Sequence, residues 1–178
     1  MTLRNCCILA LLCAALAPGL ACRDGEASAQ KRPGSRALDG PARPVTGVRI
    51  DFPAGWTQES ITGPFSAQYR SDTDLIDVGV GDSMLGGSMA DAAAKAKARL
   101  TRNGATVLEE SDASVDGRAA YRILTETKNS TVHNFTGVLL VNSRSATVTS
   151  VFATSSGDAR PGQDDRIRDL LARVHVDG

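Results

Sequence analysis

The residues of this 178-residue chain able to do chemistry are four cysteines, two histidines and one stretch rich in glycine, serine and aspartate. The cysteines are Cys6, Cys7, Cys13 and Cys22, all at the N-terminal end. Cys6, Cys7 and Cys13 lie in an apolar run and read as filler of a segment that is discarded. Cys22 is different. It follows Gly19-Leu20-Ala21, and the four residues resemble a lipobox, in which a cysteine thiol receives a diacylglyceryl group and becomes the mature N-terminus. Ala21 fits that pattern, and Gly19 stands where leucine is usual. Cys22 is therefore the candidate lipid attachment site.

The other candidates fall short of a site. Gly81 to Ser88 lies between a strand pattern and a helix pattern, with the spacing of a phosphate-binding loop, but Gly87 replaces the lysine that contacts the phosphates. Asp82 would repel them, so the segment reads as a connection, with weak anion binding at the helix start as the alternative. Asp72, Asp74 and Asp77 lack the glycine and distal glutamate of a calcium loop. Neither His133 nor His175 has a second metal ligand at diagnostic spacing, and His133 reads as an exposed strand residue. There is no G-x-S-x-G elbow. The expectation is no catalytic, metal or cofactor site. A Ser-His-Asp set assembled from distant positions around His133 stays open as the alternative. Asn129-Ser130-Thr131 and Asn134-Phe135-Thr136 match glycosylation sequons and read as chance in a Ser/Thr-rich region.

The elements around Cys22 supply an address. Arg4 is a short positive region, Cys6 to about Leu16 is apolar, and small residues follow, in the order of a secretory signal. The run is shorter than the ~20 apolar residues of a spanning helix. Ala27-Ser28-Ala29 before Gln30 offers a second cleavage site, but Arg23, Asp24 and Glu26 would then lie in a normally uncharged region. The spacing favours the cut before Cys22. A single surviving cysteine in an exported chain also needs a role. This divides the chain into a signal peptide (1–21), a lipidated N-terminus and flexible linker (22–44) and a folded domain (45–178). The linker carries Pro33, Pro41 and Pro44 and no apolar periodicity, so it is expected to stay disordered.

Composition bounds the rest. From Val45 onward there are 14 Lys+Arg against 17 Asp+Glu, a net charge of −3. No basic field exists to neutralise phosphates, so nucleic acid is not an expected partner. Aromatic residues are 4% of the chain, too few for a stacking platform, so the single Trp and four Phe read as core anchors.

Val48, Ile50 and Phe52 alternate with polar residues, as in a strand. A Pro53-Gly55 turn leads to a short extended piece at Trp56. Phe65, Ala67 and Tyr69, then Leu75 to Val80, read as a hairpin across Ser71–Asp74. Ser88 predicts a helix start, with Asp91 completing a capping-box variant. Met89, Ala92, Ala93, Ala96 and Leu100 then share one face, and Gly104 suits the cap. Strands are expected at Thr106–Ser114, Ala119–Thr127, Val132–Val141 and Ala146–Thr154. The run Gly137-Val138-Leu139-Leu140-Val141 barely alternates, as in strands covered on both faces. A last helix after Pro161 places Ile167, Leu170, Leu171 and Val174 on one stripe, and Val176 adds an edge contact. This order predicts an α+β domain with a mainly antiparallel sheet packed by helices.

Val48-Arg49-Ile50-Asp51-Phe52-Pro53-Ala54-Gly55-Trp56 resembles the opening of PsbP-like domains, including bacterial lipoproteins of the DcrB and LpqN type. Ser114-Val115-Asp116-Gly117-Arg118-Ala119-Ala120-Tyr121 resembles their internal strand-Gly-strand step. The likeness spans about Val45 to Val176. It implies an α/β/α sandwich, a non-enzymatic accessory or binding role, and no catalytic residues. Taken with the lipobox, the expected protein is a bacterial envelope lipoprotein facing the periplasm. It would be held to the membrane through Cys22 and would bind a protein partner or small ligand. A soluble periplasmic hydrolase and a secretion-linked chaperone shielding apolar segments are the alternatives.

Overall fold

The computed structural model describes residues 34–44, 46–82, 87–144 and 147–177. Of the chain's two compact units, the first, Met1–Lys31, lies outside the described residues; the second, Arg32–Gly178, carries the fold. Its elements are β1 (Arg36–Ala37), β2 (Val48–Ile50), β3 (Trp56–Glu59), β4 (Ala67–Ser71), β5 (Ile76–Asp82), α1 (Met89–Arg102), β6 (Thr106–Val115), β7 (Arg118–Lys128), β8 (His133–Arg144), β9 (Thr147–Ser155), α2 (Gln163–Leu171) and β10 (Val174–Val176). Eight strands form one sheet in the order β1-β3-β4-β5-β9-β8-β7-β6, and β2 pairs with β10 separately. Every pairing is antiparallel. The fold class is α+β, as the element order predicts.

At β8 the sheet is covered on both faces, which explains the unalternating run in that strand. Val138 and Leu140 belong to a cluster with Ala92, Ala96, Ile123 and Val148. Leu139 and Val141 belong to a second cluster with Ile167, Leu170 and Leu171. Successive strand residues face opposite sides, so α1 covers one face and α2 the other. One glycine permits a close approach and another a left-handed helix end. A Cβ on Gly137 would meet Ile167 and lie 2.8 Å from Leu171 Cδ1, so α2 seats directly on β8. Gly104, at φ +84°, follows the Asn103 cap of α1. The start of α1 is held by Ser88, whose hydroxyl accepts the Asp91 N–H at 3.1 Å. Arg168 ties α2 to the sheet edge through Glu109 at 2.7 Å, and that hydrogen bond is the main reason its guanidinium sits above its usual range.

Two expectations are corrected. Val174 does not continue the α2 stripe: the helix ends at Leu171, and Val174 opens β10, opposite Ile50. The segment 34–44, read as linker, joins the domain. Arg36 and Ala37 pair with Gln58 and Thr57, and Ala42 is buried and bridges Ile50 through paired backbone hydrogen bonds of 2.9 Å. Backbone pairing with a waiting strand edge holds a segment whose side chains alone offer little burial. Linker residues 22–33 lie outside the described residues, as does the signal segment.

Candidate functional site

Helix α1 packs chiefly on β6, β7 and β8. The same sheet face continues across β9, β5, β4 and β3 without a helix. Its floor carries small residues there, because Gly79 and Gly81 of β5 fall on that side. The loop before β4 fills part of the space. Phe65 lies flat against Gly79, where a Cβ would come within 2.6 Å of the ring, and Pro64 O sits 3.2 Å from the Cβ position of Gly81. The Phe65 and Phe152 rings meet edge-on, with centroids 6.0 Å apart.

This leaves two clefts side by side, with Phe65, Phe152 and Thr154 common to both. The first, of about 230 Å³, runs between the end of α1 (Arg99, Leu100, Asn103) and the Pro64-Phe65 loop, over a floor that includes Thr136 and Ser150. Its walls are mainly apolar. The second, of about 480 Å³, lies over β3, β4 and β5 and is rimmed by Glu59, Gln68, Arg70 and Asp77. Arg70 there is ion-paired with Asp72 at 2.6 Å and Asp77 at 3.2 Å. Ser150 is 4% exposed, and its hydroxyl has no hydrogen-bond partner among the described residues. An unpaired buried hydroxyl costs about 1–3 kcal/mol. Ser150 lies opposite Gly81 in the ladder.

The residues singled out in the sequence do not converge here. Cys22 lies outside the described residues, as do positions 83–86 of the glycine-rich loop. Asp72 and Asp77 face Arg70, while Asp74 is held by the Ser71 hydroxyl at 3.0 Å and by Arg166 at 3.4 Å. Their charge therefore goes to guanidinium groups and a turn. His133 Nε2 sits 2.8 Å from Glu126 Oε1, across the β7–β8 pair, and its ring leans on Phe135. Among the described residues no serine hydroxyl is hydrogen-bonded to it. His175 lies between two carboxylates, 3.3 Å from Asp51 and 3.4 Å from Asp116. Both ring nitrogens are engaged, so it acts as a clasp on β10. The Asn129 side chain is structural, since its oxygen accepts the Thr131 and Val132 N–H groups at 2.9 Å and turns β7 into β8. Among the described residues no group of three or more His, Cys, Asp or Glu is placed to hold a metal ion.

Sequence reasoning missed the cleft. Its one legible trace is the Gly79-x-Gly81 pair in a strand, which marks a close approach of something to the sheet face.

By sequence the chain matches no family model and no curated protein. By structure it is similar to the cyanobacterial PsbP protein CyanoP from Synechocystis sp. PCC 6803. The TM-score is 0.54 at 13% identity, over 85% of this chain and 98% of that one. It is also similar to the Ran-binding protein Mog1p of Saccharomyces cerevisiae, with a TM-score of 0.51 at 12% identity, over 73% of this chain and 90% of that one. The domain has the PsbP-like α+β fold shared by these two proteins.

Proposed function

We propose that this chain is a bacterial envelope lipoprotein of the DcrB and LpqN type. Cys22 anchors it to a membrane facing the periplasm, and its domain binds a protein partner or small ligand without chemical turnover. The observation that carries the reading is the cleft at the end of α1. It is concave and mainly apolar with a few polar groups, as a binding site requires, and among the described residues no base is hydrogen-bonded to its serine, Ser150, as a hydrolase site would need. The fold supports it further, since Mog1p, a protein of the same fold, is Ran-binding by its name. The lipobox-like Gly19-Leu20-Ala21-Cys22 supports the anchor. Two or three acyl chains hold a protein firmly, at about 0.8 kcal/mol per buried CH₂.

The address, the binding role and the alternative are each testable. Intact-mass analysis of the natural protein should find a lipidated mature chain starting at Cys22; an unmodified chain starting at Gln30 removes the anchor. Native mass spectrometry and affinity retention from envelope extract should return a partner or ligand that Thr154→Trp loses, with the circular dichroism spectrum unchanged. Retention that ignores the filled cleft, or none at all, removes the binding role. Ester hydrolysis abolished by His133→Ala would install the hydrolase instead.

A further inference from the structure

Resting on that reading of the α1-side cleft, we infer that its ligand is a small aryl acid. The aromatic body would lie against Phe65, Leu100 and Phe152, with a hydroxyl at the inner end for Ser150 and a carboxylate at the mouth for Arg99. Three observations converge on this class. The walls that Pro64, Phe65, Leu100 and Phe152 supply are apolar and partly aromatic, and the volume of about 230 Å³ suits a single ring rather than a polymer. The Ser150 hydroxyl in the floor is buried and unpartnered among the described residues, so a polar atom brought to it gains a hydrogen bond at no cost to the fold. Arg99, at the rim, is exposed and has no ion pair or side-chain hydrogen bond among the described residues. Lys97, two positions earlier on the same helix, is tied to Glu110 at 2.6 Å. Asp82, at the end of β5, also lines the cleft, and Arg99 is the one cation among the lining residues. A guanidinium left open there is complementary to a carboxylate placed against it rather than against Asp82. Thr136 and Thr154, also in the floor, lie 3.3 Å from each other through their hydroxyls and so compete little for the ligand.

The probes are 3-(4-hydroxyphenyl)propionate, 3-phenylpropionate without the hydroxyl, 4-ethylphenol without the carboxylate, and N-acetyltyrosinamide as a peptide mimic. Calorimetric titration of the mature full-length protein is expected to rank the hydroxyaryl acid first, by about three- to tenfold over each truncated probe. Ser150→Ala should erase the preference for the hydroxyl while leaving Tm equal or higher, because the lost group had no partner. Arg99→Gln should erase the preference for the carboxylate with Tm unchanged. Preferences that survive in these variants, or a Tm that falls in Ser150→Ala, overturn the inference. Tighter binding of N-acetyltyrosinamide than of the acid overturns it too, in favour of a protein side chain. If no probe binds but envelope material is still retained by the wild type and lost in Thr154→Trp, the inference fails and the binding role stands. If that material is also absent, both fail.

Discussion

The ring of Phe65 rests on the bare backbone of Gly79, filling the space a side chain on β5 would occupy. That contact separates the two clefts. Gly79→Ala forces the ring away, because a Cβ would lie 2.6 Å from it. Two effects offset each other in stability. Ala favours a strand interior over Gly by about 0.5–1 kcal/mol, and loss of the ring contact costs a similar amount, since Phe65 is only half-buried. The expected result is little change in Tm together with loss of the Phe65–Phe152 nuclear Overhauser contacts. Contacts that persist in the variant would show that the ring has room to stay.

Gly137 lies under α2 without that freedom. Its neighbours Ile167 and Leu171 are buried, and β8 sits between β7 and β9. Gly137→Ala therefore overpacks the core, at a cost of about 1–3 kcal/mol. Urea unfolding should show a lower midpoint at an unchanged slope. An unshifted midpoint would mean that α2 slides without penalty.

Asp116 closes the β6–β7 turn and accepts the Val176 N–H at 2.8 Å, fixing β10. That backbone hydrogen bond, with His175 beside it, holds its carboxyl below the usual range. A lowered pKa stabilises the folded state above the ordinary aspartate value of about 3.9, and this contribution fades as pH falls through the lowered value. Hydrogen-exchange protection of the Val176 amide should hold at pH 5 and drop only below about pH 4. Protection already lost above pH 6 would show that this carboxylate does not hold β10.

Ser88→Ala removes the hydroxyl that caps the Asp91 N–H at the start of α1. Such caps are worth about 1 kcal/mol. Thermal unfolding should show that loss, and Ser88→Asp should restore it. A variant as stable as the wild type would mean that water caps the helix equally well.

Much of the fold was legible because local rules governed it. Ser88, the alanine face and Gly104 bound α1 within a few residues of its observed ends, since capping and helical spacing act between neighbours in the chain. The hairpin of β4 and β5 was legible for the same reason. Arg36–Ala37 was not, because its place depends on an edge of β3 about twenty residues away. Val174 was misjudged because β2, far off in sequence, offered it a partner just where α2 ended.

The cleft belongs wholly to this second kind. The amino-acid order by itself determined an α+β domain and a near-neutral charge balance, because composition and periodicity carry those properties locally. Only the tertiary structure decided that Leu100, Phe65 and Ser150 would meet. They come from a helix, a loop and a strand up to 85 positions apart, and nothing local marks such residues as neighbours. The helix covers half a sheet face, and the space it leaves uncovered is set by packing alone.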